Sequence, residues 1–255
     1  MTETVMAETL GHLEADGARL AWRRTPGRGP TRVWLGGFGS DMSGTKAGAL
    51  AAWAGASGHD FLRFDYFGHG LSSGDFEDGT ITRWRADALV VIDELTEGSV
   101  ILVGSSMGGW LACLAAMARP ERIAGLALVA PAADFTERLL APRLPSEARA
   151  AIERDGVWRR PSLYEPQGYP ITSRLLEDGA RWSILPGPIA IECPVRILQG
   201  GADADVPWRH AFDLALALKS DDVVFSLVRD GDHRLSRPPD LARLIAFAAE
   251  LAARN

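Results

Sequence analysis

The chain has 255 residues, of which 47% are hydrophobic and 24% are charged, and its formal net charge is −6 at pH 7. This composition is typical of a globular protein with a large core, so we expect a single domain over residues 1–255. The negative charge argues against nucleic acid as a partner, and no apolar run is long enough for stable insertion into a membrane.

The cysteines and the amino-terminal segment predict the compartment. Cys113 and Cys193 lack the spacing of metal ligands, so we expect two buried, reduced thiols. The first residues are acidic, without the basic and apolar regions of a signal peptide or the Arg-rich character of a transit peptide. These features together predict a cytoplasmic protein.

Strands and helices alternate along most of the chain. Residues 12–22 alternate apolar and polar side chains around Asp16 and Gly17, which predicts a β-hairpin. The pattern then predicts strands at residues 32–35, 61–66, 100–103, 123–129, 194–199 and 223–227, and helices at residues 46–56, 80–95, 110–118, 208–218 and 238–254. We therefore expect an α/β fold with a mostly parallel, doubly wound sheet, which the hairpin extends by antiparallel strands at one edge.

Residues 130–191 interrupt this alternation with short helical pieces, several prolines and scattered aromatic residues. Long segments without a simple pattern are usually functional, so we expect a lid inserted over the carboxyl ends of the strands. Leu139, Leu140, Trp158 and Tyr164 are expected to line an apolar pocket that binds the acyl part of a substrate. The alternative is that these side chains form a small core of the lid itself.

The turn between the central strand and its helix carries the clearest chemical signal. Gly104, Ser106 and Gly108 stand where an apolar strand gives way to an Ala- and Leu-rich helix, the setting of a nucleophile elbow. The residues two before and two after the nucleophile must be very small, because the strained turn brings them together. Ser105 fails this condition, since its equivalent neighbours are a valine and a methionine, so Ser106 is the candidate nucleophile.

Candidates for an acid and a base follow at later strand ends, where the site of a doubly wound sheet lies. Asp203 follows the strand at residues 194–199, and His233 follows the last strand. The order serine, aspartate, histidine is that of α/β-hydrolase triads. His233 is expected to act as general base and acid toward Ser106, while Asp203 orients and stabilises the imidazolium.

Other residues compete for these roles. Asp205 and Asp134 are alternative acids, because both also follow strand ends. His69 lies in a glycine-rich loop on the same side of the sheet and is placed to contact substrate, whereas the remaining histidines fall at edge positions or on a helix.

An oxyanion hole needs two backbone donors directed at the developing negative charge. The amide of Met107, which opens the helix after the elbow, is one candidate. The second is the amide of Phe38, because Gly36 and Gly37 let this turn approach the substrate closely. Such chemistry needs neither a metal ion nor an organic cofactor.

These residues resemble the α/β-hydrolase-domain palmitoyl-protein thioesterases, a family also called mycophenolic acid acyl-glucuronide esterases. The resembling segments extend from about residue 36 to about residue 236 and include the lid. They are Gly37-Phe38, Ser40, Met42, Gly44, Lys46-Ala47, Arg63-Phe64-Asp65-Tyr66, Gly104-Ser105-Ser106, Gly108-Gly109-Trp110, Ala118-Arg119-Pro120-Glu121, Gly156-Val157-Trp158, Pro161-Ser162, Tyr164, Cys193-Pro194-Val195-Arg196, Asp203, Val206-Pro207-Trp208 and Asp232-His233-Arg234. The resemblance implies the nucleophile Ser106, the acid Asp203, the base His233, and hydrolysis of acyl thioesters and acyl esters.

We therefore expect a serine hydrolase that cleaves an acylated or small-molecule substrate through an acyl-enzyme on Ser106. Small-molecule carboxylesterases and C–C bond hydrolases use the same three groups, and the sequence does not separate these activities. Dehalogenases and epoxide hydrolases are disfavoured, because they carry an aspartate nucleophile at this position. A non-catalytic binding protein on a hydrolase scaffold is the alternative from another class, and loss of one of the three groups would indicate it.

Overall fold

The structure is a computed structural model that describes residues 8–161 and 167–253. Its described strands are β1 (Thr9–Ala15), β2 (Ala18–Thr25), β3 (Arg28–Leu35), β4 (His59–Phe64), β5 (Val100–Ser105), β6 (Ile123–Val129), β7 (Val157–Arg160), β8 (Tyr169–Thr172), β9 (Val195–Gly200) and β10 (Val223–Val228). Its described α-helices are α1 (Thr45–Ser57), α2 (Ile81–Leu95), α3 (Met107–Ala118), α4 (Ser146–Asp155), α5 (Ser173–Ala180), α6 (Trp208–Ala217) and α7 (Pro238–Ala252).

The strands form one large sheet and one small hairpin. The large sheet has the order β1-β2-β4-β3-β5-β6-β9-β10, and its strands run parallel from β4 to β10. β1 and β2 form the expected antiparallel hairpin, with φ of 47° at Asp16 and 72° at Gly17. Left-handed conformations at both turn residues match the twist of a two-residue hairpin. The expected α/β fold with a mostly parallel sheet is confirmed.

The sheet separates two hydrophobic layers, and β5 lies between them. Val100 and Leu102 face the layer under α2, α3 and α6, whereas Ile101 and Val103 face the layer under α1 and α7. All four side chains are fully buried. A strand buried on both faces has no polar side to present, which explains why β5 is a continuous apolar run in the sequence.

The segment over residues 130–191 contains more regular structure than its sequence pattern indicates. A π-helical turn at Thr136–Leu140 and a 3₁₀ turn at Ala141–Arg143 precede α4, and β7 pairs antiparallel with β8 before α5. The β7–β8 hairpin was not predicted, because strands of four residues are too short to show an alternating pattern.

Two buried carboxylates hold this segment in place, one within the segment and one between the segment and α2. Asp134, which is completely buried, accepts hydrogen bonds from the amides of Ile184 and Leu185 at 2.9 and 2.8 Å. Asp178 of α5 accepts bonds from the amide and hydroxyl of Thr82 on α2, at 2.8 and 2.6 Å. Asp134 thus joins the two ends of the segment, whereas Asp178 fixes the segment against α2, and these hydrogen bonds satisfy both buried carboxylates.

Helix α3 begins at Met107, earlier than the predicted start at residue 110. Two adjacent glycines make this stretch look like a loop in the sequence. In the structure both glycines are helical and pack closely: a Cβ on Gly108 would collide with the carbonyl of Leu35, and one on Gly109 would lie 2.8 Å from Cβ of Pro131. The glycines therefore serve close packing of α3 against the sheet and not a break in the chain.

We expect Gly108→Ala to lower the free energy of unfolding by about 2–3 kcal/mol or to prevent folding, because its methyl group would meet backbone atoms that cannot move aside. Urea unfolding followed by circular dichroism measures the change. Gly48→Ala is the matched control, since a Cβ at this helical position meets nothing within 4 Å. The control should raise stability by about 0.5–1 kcal/mol, and equal stability of the two variants would contradict the packing argument.

Candidate functional site

The side chain of Ser106 stands on a strained turn between β5 and α3. Its backbone has φ of 54° and ψ of −118°, a conformation that costs a non-glycine residue of order 1–3 kcal/mol. The turn closes so tightly that a Cβ on Gly104 would collide with the carbonyl of Gly108. This crowding is the physical reason for both glycines, and it presents the Ser106 hydroxyl at the carboxyl end of the sheet.

His233 lies on the loop between β10 and α7, with one ring nitrogen directed at Ser106. The distance from His233 Nε2 to Ser106 Oγ is 3.1 Å, and the distance from Nδ1 to Asp203 Oδ2 is 2.8 Å. A carboxylate only accepts, so His233 donates from Nδ1, and its Nε2 is left to accept the hydroxyl proton of Ser106. This arrangement is the one required of a general base that activates a serine.

The carboxylate of Asp203 is held in place by four donors. Oδ1 accepts the amides of Asp205 and Val206 at 2.9 and 2.8 Å, and Oδ2 accepts Gln199 Nε2 at 3.3 Å in addition to His233. The side chain of Asp203 is completely buried. A buried carboxylate with all these partners is rigid, so it fixes the orientation of the imidazole.

The alternative acids have other partners. The side chain of Asp205 is half exposed and pairs with Arg160 at 2.9 Å, so it contributes only its backbone amide to the Asp203 carboxylate. Asp134 binds the amides described above, and His210 bonds the carbonyl of Ala133 at 2.7 Å. The structure therefore brings together the three residues singled out by chain order, Ser106, Asp203 and His233.

The turn after β3 lies against Ser106. A Cβ on Gly37 would be 3.4 Å from the Cβ of Ser106, so this turn is in van der Waals contact with the serine. The next residue, Phe38, packs its ring against Phe76 and Phe135 at centroid distances of 4.9 and 5.7 Å. On the opposite side, the amide of Met107 belongs to the first turn of α3, where amides have no acceptor within the helix.

A cavity of about 740 Å³ opens at Ser106 and His233. Its apolar wall includes Phe38, Met107, Phe135, Leu139, Leu140, Tyr169 and Ile171, and its charged residues include Lys46, Arg143, Arg160 and Arg234 together with Asp41 and Asp205. Most of the apolar wall comes from the segment over residues 130–191, so that segment shapes the space in front of the serine. Such a cavity has the volume and the mixed lining of a small-molecule site.

Two lid residues from the sequence prediction differ in their placement. Trp158 lies on β7 opposite Ile171 and is half buried, but it is not among the described residues that line the cavity. Tyr164 lies outside the described residues. A role for Trp158 or Tyr164 in binding the substrate stays a prediction.

The described residues of the site offer neither a free set of metal ligands nor a reactive thiol. Asp203, Asp205 and His233 are the described residues whose ligand atoms come within 4.8 Å of one another, but amides, Arg160 and the serine already occupy those atoms. Both cysteines are free: Cys113 is buried and Cys193 half buried, and burial raises the pKa of their thiols to about 12 and about 11. Thiols with such pKa values are poor nucleophiles at neutral pH.

Sequence reasoning missed the actual position of His69. Its ring is 3% exposed; Nδ1 lies 3.1 Å from the carbonyl of Phe67, and Nε2 accepts the amide of Gly39 at 3.3 Å. Burial lowers the pKa of His69 to about 4. The glycine-rich loop did signal proximity to the site, but the residue is packed behind the turn after β3 and does not line the main cavity.

Comparisons with known proteins find similar sequences over most of the chain. The sequence model of the Alpha/beta hydrolase family matches residues 14–244. The palmitoyl-protein thioesterase ABHD10, mitochondrial, of Bos taurus is 40% identical over 227 residues, which cover 89% of this chain and 74% of that protein. The protein of the same name from Homo sapiens is 39% identical over the same shares of each chain.

Solved structures are similar to this chain in both fold and sequence. A putative hydrolase from Agrobacterium vitis superposes with a TM-score of 0.92 at 42% identity, covering 96% of this chain and 99% of that chain. Alpha/beta hydrolase domain-containing protein 10 from mouse has a TM-score of 0.88 at 37% identity over the same shares.

None of the described helices combines the length and the apolarity that a bilayer crossing requires.

The buried His69 predicts a pH dependence of stability. Its pKa is about 4 in the folded protein and ordinarily near 6.5, so the unfolded chain binds more protons between these values. Stability from this group is complete above pH 6.5 and declines as the pH falls toward 4, by up to about 3 kcal/mol. Urea unfolding at pH 7 and pH 4.5 should show a smaller loss for His69→Gln than for the wild type. Equal losses would contradict the prediction.

Proposed function

This chain belongs to the α/β hydrolase family, and from that premise we propose that it is a serine hydrolase that cleaves acyl thioesters or acyl esters. The observation that supports the proposal most is the hydrogen-bonded series Asp203–His233–Ser106, with distances of 2.8 and 3.1 Å, at a strained elbow beside the cavity. A serine hydroxyl, a base with a free lone pair and a buried carboxylate are the groups that acyl transfer needs.

In the proposed mechanism, Ser106 Oγ attacks the acyl carbonyl while His233 Nε2 removes the hydroxyl proton. The amides of Phe38 and Met107 donate to the oxyanion of the tetrahedral intermediate, and the negative charge of Asp203 stabilises the imidazolium. Collapse of the intermediate breaks the bond to the leaving sulfur or oxygen, which takes the proton from His233 and departs as the thiol or alcohol. Water, activated by the same histidine, then hydrolyses the acyl-enzyme and releases the carboxylic acid.

We propose that residues 130–191 act as the lid and that the acyl chain lies against its apolar side chains. Leu139, Leu140, Phe135 and Ile171 line the cavity from this segment. The relatives at about 40% identity are named palmitoyl-protein thioesterases, and we extend a preference for fatty acyl thioesters from them to this chain. Burial of an acyl chain stabilises the complex by about 0.8 kcal/mol for each methylene group.

A small-molecule carboxylesterase or a C–C bond hydrolase is the alternative within enzymes, because both would use the same three residues. A non-catalytic binding protein is disfavoured, since the side chains of Ser106, His233 and Asp203 are aligned within hydrogen-bonding distance. A cytoplasmic location stays a prediction. The names of the relatives include the word mitochondrial, so fractionation of cells from the source organism is the direct test.

We expect Ser106→Ala to abolish turnover of acyl thioesters and p-nitrophenyl esters, because no other described hydroxyl is bonded to His233. Acyl chains from short to long should be compared at matched concentrations. A maximum at long thioesters supports the deacylase, whereas activity confined to short esters supports the carboxylesterase. Turnover that persists in Ser106→Ala would contradict the proposed nucleophile.

Asp203→Asn should lower kcat by about 10⁴-fold, because an amide in place of the carboxylate favours the wrong tautomer of His233. Asp205→Asn is the matched control. Its side chain faces Arg160 and its backbone amide is retained, so kcat should fall by less than about tenfold. Similar losses in both variants would remove Asp203 as the acid.

Leu140→Trp should shift the preferred acyl chain toward shorter substrates, because the larger ring fills part of the cavity. We expect kcat/KM to fall about tenfold for long chains and to stay nearly constant for short chains. Leu216→Trp is the control, since Leu216 is 70% exposed on α6. An unchanged chain-length profile in Leu140→Trp would show that the acyl chain lies elsewhere, and Trp158→Ala would then be the next variant.

A further inference from the structure

The turn after β3 depends on the rest of the molecule for its conformation. Gly36, Gly37 and Gly39 give it little rigidity, and Gly39 has φ of 67°. Its one internal backbone bond joins the amide of Ser40 to the carbonyl of Gly37 at 3.1 Å. The amide of Gly39 donates instead to a side chain, His69 Nε2, at 3.3 Å. A flexible segment that must hold an amide at a fixed point requires such external partners.

His69 is fixed in the state that accepts this hydrogen bond. The carbonyl of Phe67 lies 3.1 Å from Nδ1 and can only accept, so the proton is on Nδ1 and the lone pair is on Nε2. The imidazole packs edge to face against the rings of Phe76 and Trp84, at centroid distances of 4.8 and 5.2 Å. Both the tautomer and the direction of the ring are therefore set by the surrounding structure.

The same aromatic side chains also hold Phe38. The Phe38 ring contacts Phe76 and Trp84 at centroid distances of 4.9 and 5.8 Å. Phe38 is thus held through its ring by this cluster and, at the following peptide, through the bond from Gly39 to His69. The two contacts together restrict the rotations that aim the amide of Phe38.

A second side chain from the same loop holds the end of the turn. Asp65 accepts the amide of Met42 at 2.6 Å and the amide of Leu71 at 2.8 Å. Burial raises the pKa of Asp65. Asp65 thus anchors the turn at its far end, whereas His69 acts next to the residue whose amide is proposed to bind the oxyanion.

We propose that His69 is a positioning residue that holds the amide of Phe38 in the geometry of the oxyanion hole. This inference rests on the proposed function. The oxyanion exists only in the transition state and the tetrahedral intermediate, so a misplaced donor lowers kcat and leaves KM nearly unchanged. A displacement of about 1 Å at such a site lowers the rate about 10- to 100-fold.

Two substitutions separate this role from general packing. His69→Gln places an amide oxygen at about the position of Nε2, so it keeps an acceptor for the amide of Gly39. His69→Asn places polar atoms near Nδ1 only, so it can still meet Phe67 but does not reach Gly39. The two variants have similar polarity and the same loss of the imidazole, and they differ mainly in the hydrogen bond that the proposal invokes.

We expect His69→Asn to lower kcat for acyl thioesters about 10- to 100-fold with KM nearly unchanged, and His69→Gln to recover most of that loss. The inhibition constant of a trifluoromethyl ketone, which forms an oxyanion with the serine, should rise in parallel for His69→Asn, while binding of the carboxylic acid product should not change. His59→Asn, at the amino end of β4 and so at the opposite end of the strands from the site, is the control and should leave kcat unchanged. Wild-type kcat in His69→Asn, or equal losses in the Asn and Gln variants, would overturn the proposal.

Two further measurements keep the result interpretable. If Ser106→Ala retains turnover, the proposed function fails; if that variant is inactive and His69→Asn is fully active, only the role of His69 fails. Should both His69 variants fail to fold, the ¹⁵N–¹⁵N coupling across the hydrogen bond between Gly39 and His69 Nε2 is measurable in the wild type. Its presence supports the proposal, and its absence overturns it.

Discussion

The left-handed backbone of Ser106 is the constraint on which the rest of the structure depends. That conformation is unfavourable for serine, and it persists because β5 and α3 from Met107 to Ala116 are buried and hold both ends of the turn. The close contacts at Gly104 and Gly108 follow from it, as does the exposure of the hydroxyl at the end of the sheet. The large apolar core stabilises the domain enough to hold this local strain at one point.

The polar groups around the serine form a series of hydrogen bonds in which each group fixes the position of the next. Backbone amides fix Asp203, Asp203 fixes His233, and His233 meets the hydroxyl. On the other side, His69 holds the turn that contains Phe38. Because these buried side chains are already held by hydrogen bonds to backbone groups, they need not move during the reaction. Water molecules would have to reorient, and that is the advantage of a preorganised site.

The segment over residues 130–191 supplies much of the cavity wall in front of the serine. Asp134 joins its two ends, Asp178 bonds it to Thr82 of α2, and its residues form most of the apolar wall of the cavity. The cationic residues at the same cavity contrast with the negative charge of the whole chain. The fold and the three aligned residues thus support the proposed class of chemistry, while this segment shapes the cavity beside the serine.

The sequence by itself determined the alternating strands and helices, the leading hairpin and the positions of Ser106, Asp203 and His233. These features depend on local spacing and chain order, which a sequence displays directly. The tertiary structure alone decided the β7–β8 hairpin, the partners of Asp134 and the burial of His69. Those features depend on contacts between residues distant in the chain, and short strands or single polar residues leave no period that reveals such partners.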